Sequence, residues 1–248
     1  MTAPFRACAV VPVYDHAAPL RGVVERLHHD FDVVFVVDDG SGTAVRDVCD
    51  ALASEGLARI MRHETNRGKG AAVKTGLAEA LREGFTHALQ VDADGQHDLT
   101  RVAAFLEAGR ANPDALVLAE PIYDDTAPTA RRVARRITTF WVALEVGSRT
   151  LVKDAMIGFR LYPVAATLAA GVRGDRMTFD IEIVVRMARA GTPIVNRPVN
   201  VRYFRAEDGG VSHIRPWRDN LAFSLMHTRL CIVGCVSAVT RLFVGGRR

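Results

Sequence analysis

The sequence predicts an α/β protein, a mostly parallel sheet flanked by helices, with a helical C-terminal appendage. Three observations predict it. Over the first hundred residues, strand-like apolar runs alternate with helix-length segments, the pattern of strands joined by crossover helices. Three of the runs end in polar residues, at Tyr14 and Asp15, at Asp38 and Asp39, and at Asp92 and Asp94. Open parallel sheets bind ligands outside the carboxyl ends of their strands, so one ligand could meet all three clusters. The third observation is the tail from 216 to 248, which is apolar with scattered arginines.

In chain order, "ACAVVPVY" reads as a strand, "LRGVVERLHHD" as a helix, "DVVFVVDDGS" as a second strand and "AVRDVCDALASEG" as a second helix. "ARIMRHE" is a short third strand, "GAAVKTGLAEALREG" a third helix and "HALQVDADG" a fourth strand. "LVLAEPIYDD" follows as a fifth strand, and "RRVARRITTFWVALEVG", 131 to 147, as a basic amphipathic helix. In that helix Val133, Ile137, Phe140, Trp141 and Leu144 share a sector of roughly 100°, with Arg131, Arg132, Arg135 and Arg136 elsewhere. Such a helix either packs in a core or lies on anionic lipid. The expected division is a main domain over 1–215 and an apolar helical segment over 216–248 that meets a membrane surface or a partner.

Composition bounds the function. With 248 residues and 49% hydrophobic residues the chain can bury one large core, which argues against disorder. A net charge of +4 is too mild for nucleic acid, but it suits an anionic ligand or a lipid surface. The four cysteines lack CxxC spacing, so reduced thiols in the cytoplasm are expected, not a zinc site or a disulfide framework. The N-terminus lacks the layout of a secretory signal. "LCIVGCVSAV", 230 to 239, falls well short of the ~20 apolar residues of a spanning helix. The expected location is cytoplasmic, with peripheral contact at the cytoplasmic face of a membrane.

Two carboxylates at i and i+2 after a strand repel each other unless a cation sits between them. Asp92 and Asp94 can both face one hard cation, Mg²⁺ or Mn²⁺, which would complete its shell with the oxygens of a substrate diphosphate. In "NRGKGAAVKTG", Gly68 and Gly70 permit a tight turn at a helix N-terminus with Lys69 between them, a setting for a phosphorylated ligand or simply for chain reversal. The segment is neither a Walker loop nor a dinucleotide GxGxxG, which removes the main support for ATPase and dehydrogenase readings. Ser41, Thr43 and Asp98 read as helix caps.

Four ordered motifs, "VPVYDH" (11–16), "VVDDGS" (36–41), "NRGKGAAVKTG" (66–76) and "VDADGQHD" (91–98), carry a resemblance to family 2 glycosyltransferases of the GT-A, Rossmann-like fold. The likeness is strongest to the dolichyl phosphate mannose synthase and polyprenyl phosphate glycosyltransferase branch, and "DAMIGFR" (154–160) and "FDIEIVVRMARAG" (179–191) extend it. The resemblance implies that Pro12, Tyr14 and Asp15 border the nucleotide base and that Asp39 contacts the nucleoside, with Asp38 and Ser41 shaping its loop. It implies a metal held by Asp92, Asp94 and Gln96, and a sugar pocket shaped by Gly158, Phe159 and Arg160. The reaction implied is inverting transfer from a UDP- or GDP-linked sugar to a lipid acceptor, with basic side chains stabilising the leaving diphosphate.

A polyprenyl phosphate acceptor needs no strong base. An alcohol acceptor would need a carboxylate base, for which Asp154, Asp180 and Glu182 are the candidates, while Asp94 is expected to be catalytic as a metal ligand. Two departures from the family pattern matter. Where relatives carry Gly-Ser-Arg after the fifth strand, this chain has Ala119, Glu120 and Pro121, so a basic contact to the donor is missing there and is expected from Arg131 or Arg132 instead. Near the C-terminus Arg202 and Ser212 are kept, but His213 replaces a lysine and could bind or protonate the diphosphate in a pH-dependent way. The resemblance also places an interface helix over 131–147, beside the acceptor site. A second copy of the chain or a membrane protein is a further expected partner. The alternatives are a sugar nucleotidyltransferase, which lacks its N-terminal glycine-rich loop here, and a noncatalytic nucleotide- or membrane-binding module, which would tolerate substitution at Asp92 and Asp94.

Overall fold

The computed structural model describes residues 4–123, 129–202 and 216–245, with the side chains of 130, 131, 216–219 and 236–245 outside the description. The elements run β1 (Ala7–Val13), α1 (Ala17–His28), β2 (Val34–Asp38), α2 (Thr43–Ser54), β3 (Arg59–Arg62), α3 (Lys69–Arg82) and β4 (His87–Val91). They continue with α4 (Val102–Ala111), β5 (Leu116–Tyr123), α5 (Thr129–Val146), β6 (Phe159–Pro163), α6 (Val164–Ala169), α7 (Phe179–Arg189), β7 (Ile194–Val201) and α8 (Pro216–Gly245). The strands form one sheet in the order β3-β2-β1-β4-β6-β5-β7. Pairings are parallel except those of β6, which runs antiparallel to both β4 and β5.

The first seven elements follow the sequence expectation closely, because their signal is local. β2 and β4 are buried at every residue, as strands covered on both faces must be, which is why they read as unbroken apolar runs. α1 buries Leu20, Val23, Val24 and Leu27, the i, i+3, i+4, i+7 stripe of a helix lying on a sheet. One core fills the side of α1, α2 and α4, with Leu27, Leu52 and Phe105; the other fills the side of α3 and α7, with Leu77, Phe179 and Val184. α3 sits close on β1, since a Cβ added to Gly76 would come 2.4 Å from Val10.

β6 and β7 did not stand out in the sequence. β6, "FRLYP", is five residues long with an arginine in its middle, and its buried position between β4 and β5 depends on where the sheet directs the chain. α8 is one helix that joins the body by burying Met226 and Leu230 in the core on the side of α3 and α7 and through polar contacts. His227 Nδ1 lies 2.8 Å from Glu145 Oε1 on α5, and Arg189 of α7 donates to the Leu230 carbonyl at 2.8 Å. No described helix is long and apolar enough to cross a membrane.

Candidate active site

The carboxyl ends of β1, β2 and β4 lie side by side in the sheet, which brings the three polar clusters together. At the end of β1, Asp15 takes a left-handed conformation with φ 53°, one that aspartate tolerates better than most residues. Its N–H donates to Ser41 Oγ at 3.1 Å, and its Oδ1 accepts from the Gly42 N–H at 2.9 Å. Tyr14 and Asp15 thus border an open edge, whereas Pro12 is buried within β1 opposite Val37.

Asp39, expected at the nucleoside, is 2% exposed and holds the chain's own backbone. It accepts from the N–H groups of Arg67 at 2.9 Å and Gly68 at 2.7 Å, and lies 2.6 Å from His63 Nδ1. Those contacts tie the glycine-rich turn to the end of β2. The glycines serve close packing: Gly68 has φ 107°, and a Cβ there would come 2.5 Å from the Asp175 carbonyl oxygen. A Cβ on Gly70 would come 2.4 Å from Phe179 Cβ. The segment before α7 therefore seats on the first turn of α3, where Ala71 N–H donates to the Asp175 carbonyl at 2.9 Å.

That packing assembles the charged centre. Lys69 Nζ lies 2.8 Å from Asp92 Oδ2 and 2.9 Å from Asp180 Oδ2, with the Asp180 side chain 3% exposed. Burial alone would lower the Lys69 pKa, but Asp180 and Asp92 outweigh it and raise the pKa above the usual lysine value. Burial would likewise raise the Asp92 carboxyl, but Lys69 and then His97 hold it below the usual carboxylate range. Behind Asp92, the Gln90 amide donates to its Oδ1 at 3.3 Å, and Tyr162 O–H donates to Gln90 at 2.9 Å. Burial pushes the Tyr162 pKa up to about 12, so it stays a neutral donor. The other wall is Gly158, where an added Cβ would lie 2.1 Å from Asp92 Oδ1.

Asp94 is half-buried on the loop after β4, and its Oδ1 accepts from the Gln96 N–H at 3.0 Å. The end of β7 runs back along this loop. His97 bridges to Val201, and Arg202 N–H donates to the Gln96 carbonyl at 3.0 Å, so the backbone of Arg202 is held against the loop that carries Asp94. No group of three or more His, Cys, Asp or Glu side chains that could hold a metal occurs among the described residues.

The remaining expected site residues divide by role. Asp154 is 4% exposed. Its Oδ1 accepts from the N–H groups of Met156 at 2.7 Å and Ile157 at 2.9 Å, and its Oδ2 from Arg135 of α5 at 2.6 Å. Glu182, also expected as a base, is a tether: it accepts from the Arg173 and Gly174 N–H groups, from Arg186 at 2.7 Å, and pairs with Arg229 of α8 at 2.7 Å. Burial opposes its charge, but these donors win and lower its pKa. Arg160, expected at the sugar, is 1% exposed and donates to the carbonyls of Ile157, Asp180 and Ala155 at 2.6–2.7 Å. Phe159 is 0% exposed and packs on Phe105, so of the GFR triplet only Gly158 adjoins a strand-end carboxylate. Arg132 is exposed on α5. Ser212, His213 and the side chain of Arg131 lie outside the described residues.

The sequence reading missed Gln90, Tyr162 and Arg135. A glutamine inside the apolar run "HALQV" was the one available signal; the other two residues acquire their partners only in the fold.

This sheet order, with its one reversed strand, is an α/β architecture of the GT-A type. The chain belongs to Glycosyl transferase family 2, whose profile matches residues 8–172. It is 26% identical over 217 residues to the polyprenol monophosphomannose synthase of Mycolicibacterium smegmatis, covering 84% of this chain and 80% of that protein. It is 27% identical over 205 residues to the undecaprenyl-phosphate mannosyltransferase of Micrococcus luteus, covering 78% of this chain and 82% of that one. Among solved structures, glucosyl-3-phosphoglycerate synthase from Mycobacterium tuberculosis, in complex with Mn²⁺ and UDP-glucose, superposes with a TM-score of 0.69 at 17% identity. That match covers 93% of this chain and 79% of the other, a likeness of fold.

Proposed function

We propose that the chain transfers a sugar, with inversion, from a UDP- or GDP-linked donor to a polyprenyl phosphate at a membrane surface. The observation that carries this reading is the state of the three carboxylates able to act as a base. Asp154, Asp180 and Glu182 are each buried and engaged by cations or by backbone N–H groups. A hydroxyl acceptor needs an accessible base to take its proton. A phosphate acceptor arrives as an anion: its oxygen forms the new bond to the anomeric carbon while the bond to the donor diphosphate breaks, and no proton has to move. The names of the two relatives above, one a polyprenol monophosphomannose synthase and the other an undecaprenyl-phosphate mannosyltransferase, support the same reading.

Asp92 and Asp94 fit a hard divalent cation by donor chemistry, since Mg²⁺ commonly takes one or two carboxylates and completes its shell with phosphate and water. Asp94 offers an oxygen not used by the Gln96 N–H, and Gln96 adds a carbonyl group. A cation held there supplies positive charge against the departing diphosphate. The chain adds Arg202, held at Gln96, and Arg132 on α5, with Arg131, Ser212 and His213 assigned to the same diphosphate. Tyr14 and Asp15 border the base, and Gly158 keeps Asp92 aimed at the site.

The membrane part of the proposal rests on α5 and α8. Val133, Ile137, Phe140 and Leu144 of α5 are 51–60% exposed, and Leu221 and Leu225 of α8 are both 62% exposed. A stripe of that size on a basic helix suits the interface of an anionic bilayer. Through the Arg135–Asp154 pair this helix is tied to the loop that leads into Gly158, which sets an acceptor surface beside the donor site.

The test is calorimetric binding of UDP and of GDP, each with and without Mg²⁺ or Mn²⁺, followed by transfer assays with undecaprenyl phosphate in vesicles and with a soluble alcohol. Metal-dependent binding of one nucleotide and transfer to the lipid phosphate are expected. Binding of neither nucleotide overturns the donor site, and transfer to the alcohol alone overturns the acceptor.

A further inference from the structure

We propose that Lys69 is a built-in counter-cation of the donor site, which holds Asp92 until a divalent ion arrives with the nucleotide and then releases it. The proposal rests on the reading of Asp92 as a metal ligand and adds to it how the site keeps that carboxylate in the absence of metal.

The geometry makes the competition direct. Lys69 takes Asp92 Oδ2 at 2.8 Å, an oxygen that a metal would otherwise share, and at the same time stands 2.9 Å from Asp180. Asp180 has little else: beyond the Lys69 ammonium, neither carboxylate oxygen has a hydrogen-bond donor among the described residues. The Arg160 guanidinium, 3.7 Å away, donates its N–H groups to three carbonyls. Lys69 therefore balances two buried carboxylates, and a buried carboxylate without a partner is costly. When a divalent cation neutralises Asp92, one of the two is relieved and Lys69 can remain with Asp180.

The residue type fits such an exchange. Of the 32 Lys and Arg residues only Lys69, Lys74 and Lys153 are lysine, so arginine is this chain's usual cation. An ammonium is a compact point charge on a flexible stem, whereas a guanidinium is a planar fork that locks onto one carboxylate. The backbone under Lys69 is pinned by Asp39 to the Gly68 N–H at 2.7 Å and by Asp175 to the Ala71 N–H at 2.9 Å. Exchange then needs only side-chain rotation. It follows that the nucleotide-free protein binds divalent ions weakly and that metal and nucleotide bind together, the diphosphate giving the released ammonium new oxygens.

Three lysines make this observable. In the full chain carrying lysine labelled with ¹³C at Cε, assigned with Lys74→Arg and Lys153→Arg, addition of Mg²⁺ with UDP or with GDP is expected to shift the Lys69 resonance and leave the other two in place. In parallel, electron paramagnetic resonance of Mn²⁺ is expected to show nucleotide-free Lys69→Gln binding the ion about tenfold more tightly or better than wild type, because a competing positive charge is gone. Circular dichroism checks that the variant folds, and the resonance experiment on wild type stands without it. If calorimetry shows metal-dependent nucleotide binding while the Lys69 resonance stays fixed, the counter-cation role is wrong and the donor site stands. Unchanged or weaker Mn²⁺ binding by folded Lys69→Gln leads to the same conclusion. If neither nucleotide binds with any metal, the donor site itself is wrong and this proposal goes with it.

Discussion

A side chain at Gly158 has no room, because a Cβ there would lie 2.1 Å from Oδ1 of Asp92. The two residues are also joined through the backbone, Asp92 N–H donating to the Gly158 carbonyl at 3.0 Å. The glycine just before β6 thus sets where the carboxylate that follows β4 can point.

Gly158→Ala is accordingly expected to push the Asp92 carboxylate out of place. Overpacking of this kind costs about 1–3 kcal/mol of stability, and nucleotide binding should lose its dependence on metal. Thermal melting together with calorimetry checks this; a variant that melts and binds like wild type would show that Asp92 has another position available.

Asp94→Asn isolates function from fold. The carboxylate of Asp94 accepts from the Gln96 N–H, a contact the asparagine carbonyl can replace. Stability is expected to change by less than about 1 kcal/mol, since the half-buried side chain keeps its size and its hydrogen bond, while metal-dependent nucleotide binding and transfer are lost. Retained transfer at wild-type rate would remove Asp94 from the metal site.

Glu182→Gln is expected to cost about 2–4 kcal/mol, since it leaves buried donors and two arginines without their anion. The pH dependence has a definite sign. The folded pKa of Glu182 lies below its unfolded value, so its contribution is fully present above the unfolded value of ~4.3 and is lost as the pH falls through the folded one. Urea melts from neutral to acid pH should show wild type losing more stability than the variant over that acid window; parallel curves would mean that Glu182 gains nothing from its partners.

Phe140→Ser with Ile137→Asp tests the lipid surface. Both side chains are more than half exposed, at 59% and 56%, so melting in solution should stay near wild type. Sedimentation with anionic vesicles is expected to drop by roughly tenfold or more, because burial of each apolar side chain contributes ~1.5–3 kcal/mol. Unchanged sedimentation would move the contact elsewhere, with the exposed face of α8 the next place to test.

Much of the fold was legible in the sequence, and the reason is locality. β1 to β4 and their helices announce themselves in stretches of fewer than fifteen residues, through apolar runs and helical stripes that need no distant partner to be read. β6 and β7 lacked that signal: "FRLYP" becomes a buried strand because β4 and β5 leave a slot for it, and Arg160 is tolerated there because three backbone carbonyls, two from the preceding loop and one from the start of α7, converge on its guanidinium. The site divides the same way. Asp92 and Asp94 stood out by spacing alone. The states of Asp39, Asp154 and Glu182 did not, because a carboxylate that clamps a turn and one free to meet a ligand look alike in one dimension.

By itself, then, the sequence determined an α/β protein with acidic strand ends, a glycine-rich turn and a basic amphipathic helix, since each is a short-range pattern in residue type. Only the tertiary structure decided that Lys69 joins Asp92 to Asp180, a residue 111 positions away from it in the chain. It likewise decided that Glu182 anchors α8 and that the stripe of α5 faces outward. Charge balance and burial are properties of what surrounds a group, and those surroundings exist only once the sheet has brought distant segments together.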